Sequence, residues 1–291
     1  MKHIAKKLTS LLLALALLCA LAVLPAQAAY GPGTKLVVLG DSIAAGEGAT
    51  DKATKAYANT LAAEKGFALS NFAVPGYATH DILQQLAERA DIVQAICEAD
   101  IIDLSIGGND LLGSNVITIV LQLVFLGDDS AVDEYIESFS GKFAQIIEQI
   151  RALNGDALFL VQTQYNAMGG IPLVGDAYDT AISKLNQVIW DYLDDHDGAY
   201  EIADIYGAFK GRDGLVFRDR LHPSDAGHAM ISRVLTAMID GTALLLEPVG
   251  GCTPGFFGQV GIFFAAVVDY LGYWLSIYSP LELLGKAFSF M

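Results

Sequence analysis

From Lys35 to about Leu245 short apolar runs alternate with longer stretches whose apolar positions recur at helical spacing. That is the signature of a parallel sheet covered by helices. Lys35 to Leu39, Ala68 to Val74, Ile101 to Ile106, Ala157 to Gln162 and Tyr200 to Ile205 read as buried strands. Between them, Lys55 to Glu64, Asp81 to Ala99, Asp133 to Ala152, Ala177 to Tyr192 and Ser224 to Ile239 read as helices. Connections of that length are what parallel strands require. No internal repeat, low-complexity tract or linker interrupts this region.

Two segments fall outside the pattern. Val116 to Leu126 runs for eleven residues without a charge, too short to span a bilayer. It reads as a buried element or as an apolar wall beside a site. After Pro248 comes a tail in which Pro254 and Pro280 bracket 25 residues with one charge, Asp269, and eight aromatics. The length suits a membrane span, whereas a central Asp and four glycines disfavour lipid exposure. A membrane-associated tail and a hydrophobic hairpin packed on the domain are both open readings.

The N-terminus changes the picture again. Lys2, Lys6 and Lys7 form a positive start, Leu11 to Leu24 an apolar run, and Ala26-Gln27-Ala28 a small-residue cleavage site, together the pattern of a secretory signal. The expected organisation is therefore a signal peptide over 1–28, a domain over 29–247 and a hydrophobic tail over 248–291. The expected location is secreted or at the extracytoplasmic cell surface, with membrane contact through the tail. Over the whole chain 17 basic residues face 33 acidic ones, a net charge of -16, and 53% of residues are hydrophobic. Mean hydropathy is +0.43. Such composition excludes a disordered chain, and such charge argues against nucleic acid as a partner. After export two cysteines remain, Cys97 and Cys252, which could pair but make no disulfide framework. No cysteine or histidine cluster has metal-ligand spacing, so neither metal nor cofactor is expected.

Candidate chemistry sits at the carboxyl ends of the expected strands, where open α/β sheets bind ligands. Gly40-Asp41-Ser42 follows the first strand, and Ser42 is either a nucleophile or a helix cap. Asn71-Phe72-Ala73-Val74-Pro75-Gly76 ends the second. Gly76 offers a backbone N–H there, or serves only a turn that needs positive φ. Gly107-Gly108-Asn109-Asp110 ends the third, with an Asn109 amide able to donate to an oxyanion, and with Asn109 or Asp110 as a helix cap in the bland alternative. Near the domain's end stands Asp219-Arg220-Leu221-His222-Pro223-Ser224. Asp219 can hold one imidazole nitrogen of His222 protonated so that the other accepts a serine proton. His80, His196 and His228 lack such a partner and read as surface or packing residues.

These four blocks, in this order, resemble the SGNH hydrolase superfamily, the GDSL lipases and esterases, over about residues 35 to 240. The resemblance implies a three-layer α/β/α fold with a flavodoxin-like five-stranded parallel sheet. It implies Ser42 as nucleophile, His222 as general base and Asp219 as its orienting partner. The oxyanion hole it implies comprises the Ser42 N–H, the Gly76 N–H and the Asn109 side chain. The G-x-S-x-G elbow of the α/β-hydrolases is absent from the chain.

The chemistry expected is hydrolysis of an ester through an acyl-serine. Because a histidine base must be neutral to act, activity is expected to rise with pH. Substrate is less constrained. The apolar segment and aromatic tail favour a small-molecule or lipid-like acyl ester; removal of acetyl groups from cell-wall or extracellular carbohydrate is the alternative. A third reading is a non-catalytic surface protein.

Overall fold

The computed structural model describes residues 30–111, 130–172 and 174–246, with the single positions 265 and 272. Val116 to Leu126, the signal-like segment, Cys252 and nearly all of the tail lie outside the described residues.

Five strands form one sheet: β1 (Lys35–Gly40), β2 (Ala68–Asn71), β3 (Ile101–Ser105), β4 (Leu158–Gln162) and β5 (Glu201–Ala203). Their spatial order is β2-β1-β3-β4-β5 and every pairing is parallel. The order reverses between β1 and β3, which opens a crevice at the carboxyl ends of those two strands. β3 is buried at all five positions and β1 at all but its first. Such continuous apolar runs, rather than alternating ones, are what a sheet covered on both faces requires.

The helices are α1 (Lys52–Lys55), α2 (Tyr57–Lys65), α3 (Thr79–Glu88), α4 (Ala90–Cys97), α5 (Gly108–Leu111), α6 (Ser130–Leu153), α7 (Val174–Asp195), α8 (Ile205–Phe209) and α9 (Asp225–Ile239). α2 packs on α9, and α9 on α8. In a second layer, α6 packs on α3, α4 and α7. Spacing explains the burial of α6: Phe139, Phe143, Ile146 and Ile150, three or four residues apart, are all fully buried. Phe143 also meets the ring edges of Tyr192 and Tyr200, each with centroids 5.9 Å away. Replacing it with alanine should cost about 3 to 5 kcal/mol.

Differences from the sequence reading are local and have physical causes. β2 ends at Asn71 instead of Val74, because the Asn71 side chain turns back, accepting from Ala73 N at 3.0 Å and donating to Ala44 O at 2.8 Å. The helix expected over Asp81 to Ala99 breaks at Arg89, whose backbone is extended and whose guanidinium is paired with Asp91. The last helix begins one residue after Ser224, whose hydroxyl caps it by accepting from Gly227 N at 3.2 Å.

One polar cluster lies within the core. Asp103 on β3 is buried, accepting from Tyr57 Oη at 2.7 Å and from Gln162 Nε2 at 2.9 and 3.0 Å. Burial still pushes its carboxyl up to about 6 despite these donors. Cys97 is an exposed free thiol. Among the described residues no helix is long and apolar enough to cross a membrane.

Candidate active site

β1 runs directly into Asp41 and Ser42. No regular helix follows until α1, which is capped by Asp51 rather than by Ser42. The cap reading of Ser42 therefore has no helix to serve. Residues 42 to 48 instead form consecutive turns, closed by Ala45 N to Asp41 O and Glu47 N to Ser42 O, both 2.9 Å.

That loop is tied to the opposite end of the domain. Thr50 donates to Asp225 through its N–H at 2.8 Å and its hydroxyl at 2.7 Å. His228, fully buried, donates from Nε2 to Glu47 O at 3.0 Å and accepts at Nδ1 from Tyr57 N at 3.4 Å. Burial lowers its pKa and favours this neutral tautomer. His228 is thus a packing histidine, and what it packs is the serine loop. Gly48, at φ +87°, approaches so closely that a Cβ there would overlap Pro223 O and His222 Cβ. These contacts set the distance between the loop bearing Ser42 and the loop bearing His222.

Within its own loop, His222 is oriented by Asp219 alone. Its Nδ1 lies 2.6 Å from Asp219 Oδ2, while Oδ1 accepts the N–H groups of Leu221 and His222, both at 3.0 Å. Because the carboxylate accepts, Nδ1 carries the proton and Nε2 is left as the free acceptor. Asp219 is only 3% exposed. Burial pushes its carboxyl up, but the His222 ring, the two backbone donors and the imidazole's charge outweigh it and hold it below the usual range. Tyr165 fixes the loop from β4's extension by donating to Leu221 O at 2.6 Å.

On the third side are the residues of the glycine block. Asn109 donates from Nδ2 to Tyr77 O at 2.8 Å, committing one of its two amide hydrogens and leaving the other. Asp110 accepts from Thr79 N at 3.1 Å and from Thr79 Oγ1 at 2.6 Å. Asp110, from within α5, therefore satisfies the first N–H of α3, and Asn109 does not cap that helix. Together they tether the turn that contains Gly76. Gly76 sits at φ +88° with nothing within 4 Å of where a Cβ would be, so its backbone angle alone demands glycine.

Ser42, Asn109 and His222 line one pocket of about 30 Å³, with Asp41, Gly108 and Tyr178 also in its wall. Gly76 is not among the residues lining it. Asp41, 2% exposed, accepts Ile43 N at 2.9 Å. Burial pushes its carboxyl up to about 7, with the Ile43 N–H and the His222 ring pulling the other way. Gln164, Tyr165 and Tyr178 also line this pocket, although no motif in the sequence marks them. Their only signal was position, just beyond β4 or on the helix after it. Among the described residues no cluster of His, Cys, Asp and Glu could hold a metal.

An α/β sheet of this order, with a serine and a carboxylate-oriented histidine at its carboxyl edge, defines a class of hydrolytic enzymes. The model of the GDSL-like Lipase/Acylhydrolase family matches residues 38–230, and the chain belongs to that family of carboxylic ester hydrolases. Among solved structures it is similar to a lipase from a goat rumen metagenome, at 25% identity and a TM-score of 0.56, over 70% of this chain and 96% of that one. A phospholipase A1 from Streptomyces albidoflavus is 24% identical with a TM-score of 0.55, over 70% and 99%. An acetyl xylan esterase from Geobacillus stearothermophilus is 18% identical with a TM-score of 0.51, over 75% and 99%. These last two likenesses bear on the fold alone. No curated protein matches the sequence.

Proposed function

We propose that the protein is an exported serine ester hydrolase in which Ser42 is the nucleophile, His222 the general base and Asp219 its orienting carboxylate. The observation that carries the reading is the 2.6 Å contact of His222 Nδ1 with Asp219, with His222 and Ser42 in the wall of one pocket. His222 Nε2 takes the Ser42 proton as Oγ attacks the ester carbonyl. The tetrahedral oxyanion is met by the Ser42 N–H, the Gly76 N–H and the uncommitted Asn109 amide hydrogen. As the intermediate collapses, the acyl carbon to alcohol oxygen bond breaks and His222 returns the proton to the leaving alcohol. Water, activated by the same histidine, then releases the acid.

The acyl substrate is read as lipid-like on the strength of the uncharged run at 116–126 and the aromatic tail. A second reading, removal of acetyl groups from carbohydrate, is favoured by the small size of the pocket. Export rests on the signal-like residues 1–28, and membrane contact on the tail over 248–291.

The test is hydrolysis of p-nitrophenyl esters from acetate to palmitate by the full chain, with Ser42→Ala alongside. Activity abolished in the variant is the expected result, and activity that survives it would overturn the assignment. Faster turnover of longer chains favours the lipid reading; inactivity beyond acetate favours the carbohydrate one. A folded wild-type protein without activity on any of these esters would support a non-catalytic role.

A further inference from the structure

The pocket that contains Ser42, Asn109 and His222 also holds side chains that the acyl-transfer steps do not use. Asp41, Gln164 and Tyr178 stand in its wall, each more than nine-tenths buried. Neither the Gln164 side-chain amide nor the Tyr178 hydroxyl hydrogen-bonds to a described residue. Nor are these groups sealed in. Among the described residues, the buried atoms with neither a partner nor exposed surface are Gln85 Oε1, Arg220 Nε, Ser232 Oγ and Thr236 Oγ1. Buried polar groups left unpaired are costly, and a ligand that pairs with them gains what they have lost. Resting on the serine-hydrolase reading, we infer that this pocket receives the acyl carbon beside the scissile carbonyl together with a hydroxyl on it, and that Gln164 and Tyr178 thereby select 2-hydroxyacyl esters.

The fold aims these groups at the pocket. Gln164 lies two residues beyond β4; its N–H donates to Asn186 Oδ1 at 2.7 Å and its carbonyl accepts from Asn186 Nδ2 at 2.8 Å. With the backbone clamped, the side chain turns toward the glycine block. A Cβ on Gly108 would meet Gln164 Oε1 at 3.3 Å and Asp41 Oδ2 at 3.8 Å, so the two oxygens converge beside Asn109. The other Asp41 oxygen is spent on Ile43 N. Tyr178, Ile182 and Asn186 share one buried face of α7 at four-residue spacing, and the first two close the pocket. A closed recess of about 30 Å³ suits the half of the ester that stays bonded to Ser42, because the alcohol must depart while the acyl group remains.

Chemistry decides what the acyl carbon carries. Two acceptor oxygens and a phenol call for a group that both donates and accepts. A hydroxyl does both, whereas a methyl does neither. Burial, and after it the Asp41 carboxyl, push the Tyr178 phenol up, so it stays protonated and able to donate. An acyl carboxylate would bring no proton to Asp41 and Gln164 Oε1. An ammonium would have no lone pair for the Tyr178 proton and would lose its hydration on entering the recess.

The experiment uses the full chain and follows acid release from ethyl glycolate and from ethyl propionate, which puts a methyl where glycolate has its hydroxyl. Ethyl hydrogen malonate and ethyl glycinate, at about neutral pH, put a charge there. Each kcat/KM is divided by the ester's own alkaline hydrolysis rate, which removes intrinsic reactivity. Glycolate should then exceed propionate by about tenfold or more, and both charged esters should be poorer than glycolate. Tyr178→Phe and Gln164→Met keep the bulk and remove the polar atoms. Each should lower the glycolate-to-propionate ratio by about tenfold, a ratio that partial misfolding does not alter. A fall in only one variant supports the proposal and names the residue that makes the contact. Glycolate no faster than propionate in the wild type, turnover of neither, a charged ester faster than glycolate, or a preference untouched by both variants would overturn it. If that happens while Ser42→Ala still abolishes hydrolysis of p-nitrophenyl acetate, the subsite alone fails. If the wild type cleaves no ester at all, the hydrolase reading fails and the subsite with it.

Discussion

Two carboxylates flank the candidate active site, Asp41 immediately before Ser42 and Asp219 three residues before His222. They are equally buried, at 2% and 3% exposure, yet they are driven in opposite directions. Asp219 accepts three hydrogen bonds, one from an imidazole that can carry charge, and is held below the usual carboxylate range. Asp41 accepts Ile43 N and is pushed up to about 7. Burial costs Asp41 more and Asp110 adds to that cost, while Asp219 has more donors and the His222 ring pulling the other way. A carboxylate that must stay ionised beside a histidine needs a loop folded around it, and the Asp219 loop supplies one from its own next three residues.

The largest effect that could break this contrast comes from Asp219→Asn. An amide cannot hold the same imidazole tautomer, so kcat on p-nitrophenyl acetate should fall by about 10⁴-fold. A loss under tenfold would mean that Asp219 does not orient the base. Next, Asn109→Ala should lower kcat by about 10² to 10³-fold, the scale of one oxyanion donor. Turnover within threefold of wild type would remove Asn109 from the hole.

Asp41→Asn sharpens the comparison through stability. With its folded pKa raised to about 7, Asp41 contributes stability that is fully present below its unfolded value and is lost as pH rises through 7. The asparagine variant does not titrate. Its stability relative to wild type should therefore improve by up to a few kcal/mol between pH 4 and 8, measured by urea unfolding. A gap that stays constant with pH would show that Asp41 is not strained by burial. The smallest effect is expected from Gly76→Ala, about 1 kcal/mol of destabilisation, because the φ of +88° is disfavoured while space is open. Should the melting temperature stay at the wild-type value, the turn has relaxed.

Much of this was legible in the chain. All five strands fall on the runs read as strands, β1 running one residue further to Gly40, but only β1, β3 and β4 are largely buried, because β2 and β5 are edge strands and stay part-exposed. The motif blocks were legible because chemistry demands particular residue types at strand ends. Asp110 and His228 were not. A helix cap and an oxyanion donor use the same Asn-Asp pair, and which residue does which depends on whether Thr79 or Tyr77 lies nearer. His228 looked idle because its partner, Glu47, is 181 residues away along the chain.

The sequence by itself determined the order of elements, the carboxyl-edge chemistry and the pairing of Asp219 with His222, because each depends on residues near one another in the chain. Tertiary structure alone decided the rest: that Gly48 seats the serine loop against His222, and that burial and neighbours drive the Asp41 and Asp219 carboxyls in opposite directions. Each is a matter of distance and desolvation between distant segments, and neither quantity exists until the chain has folded.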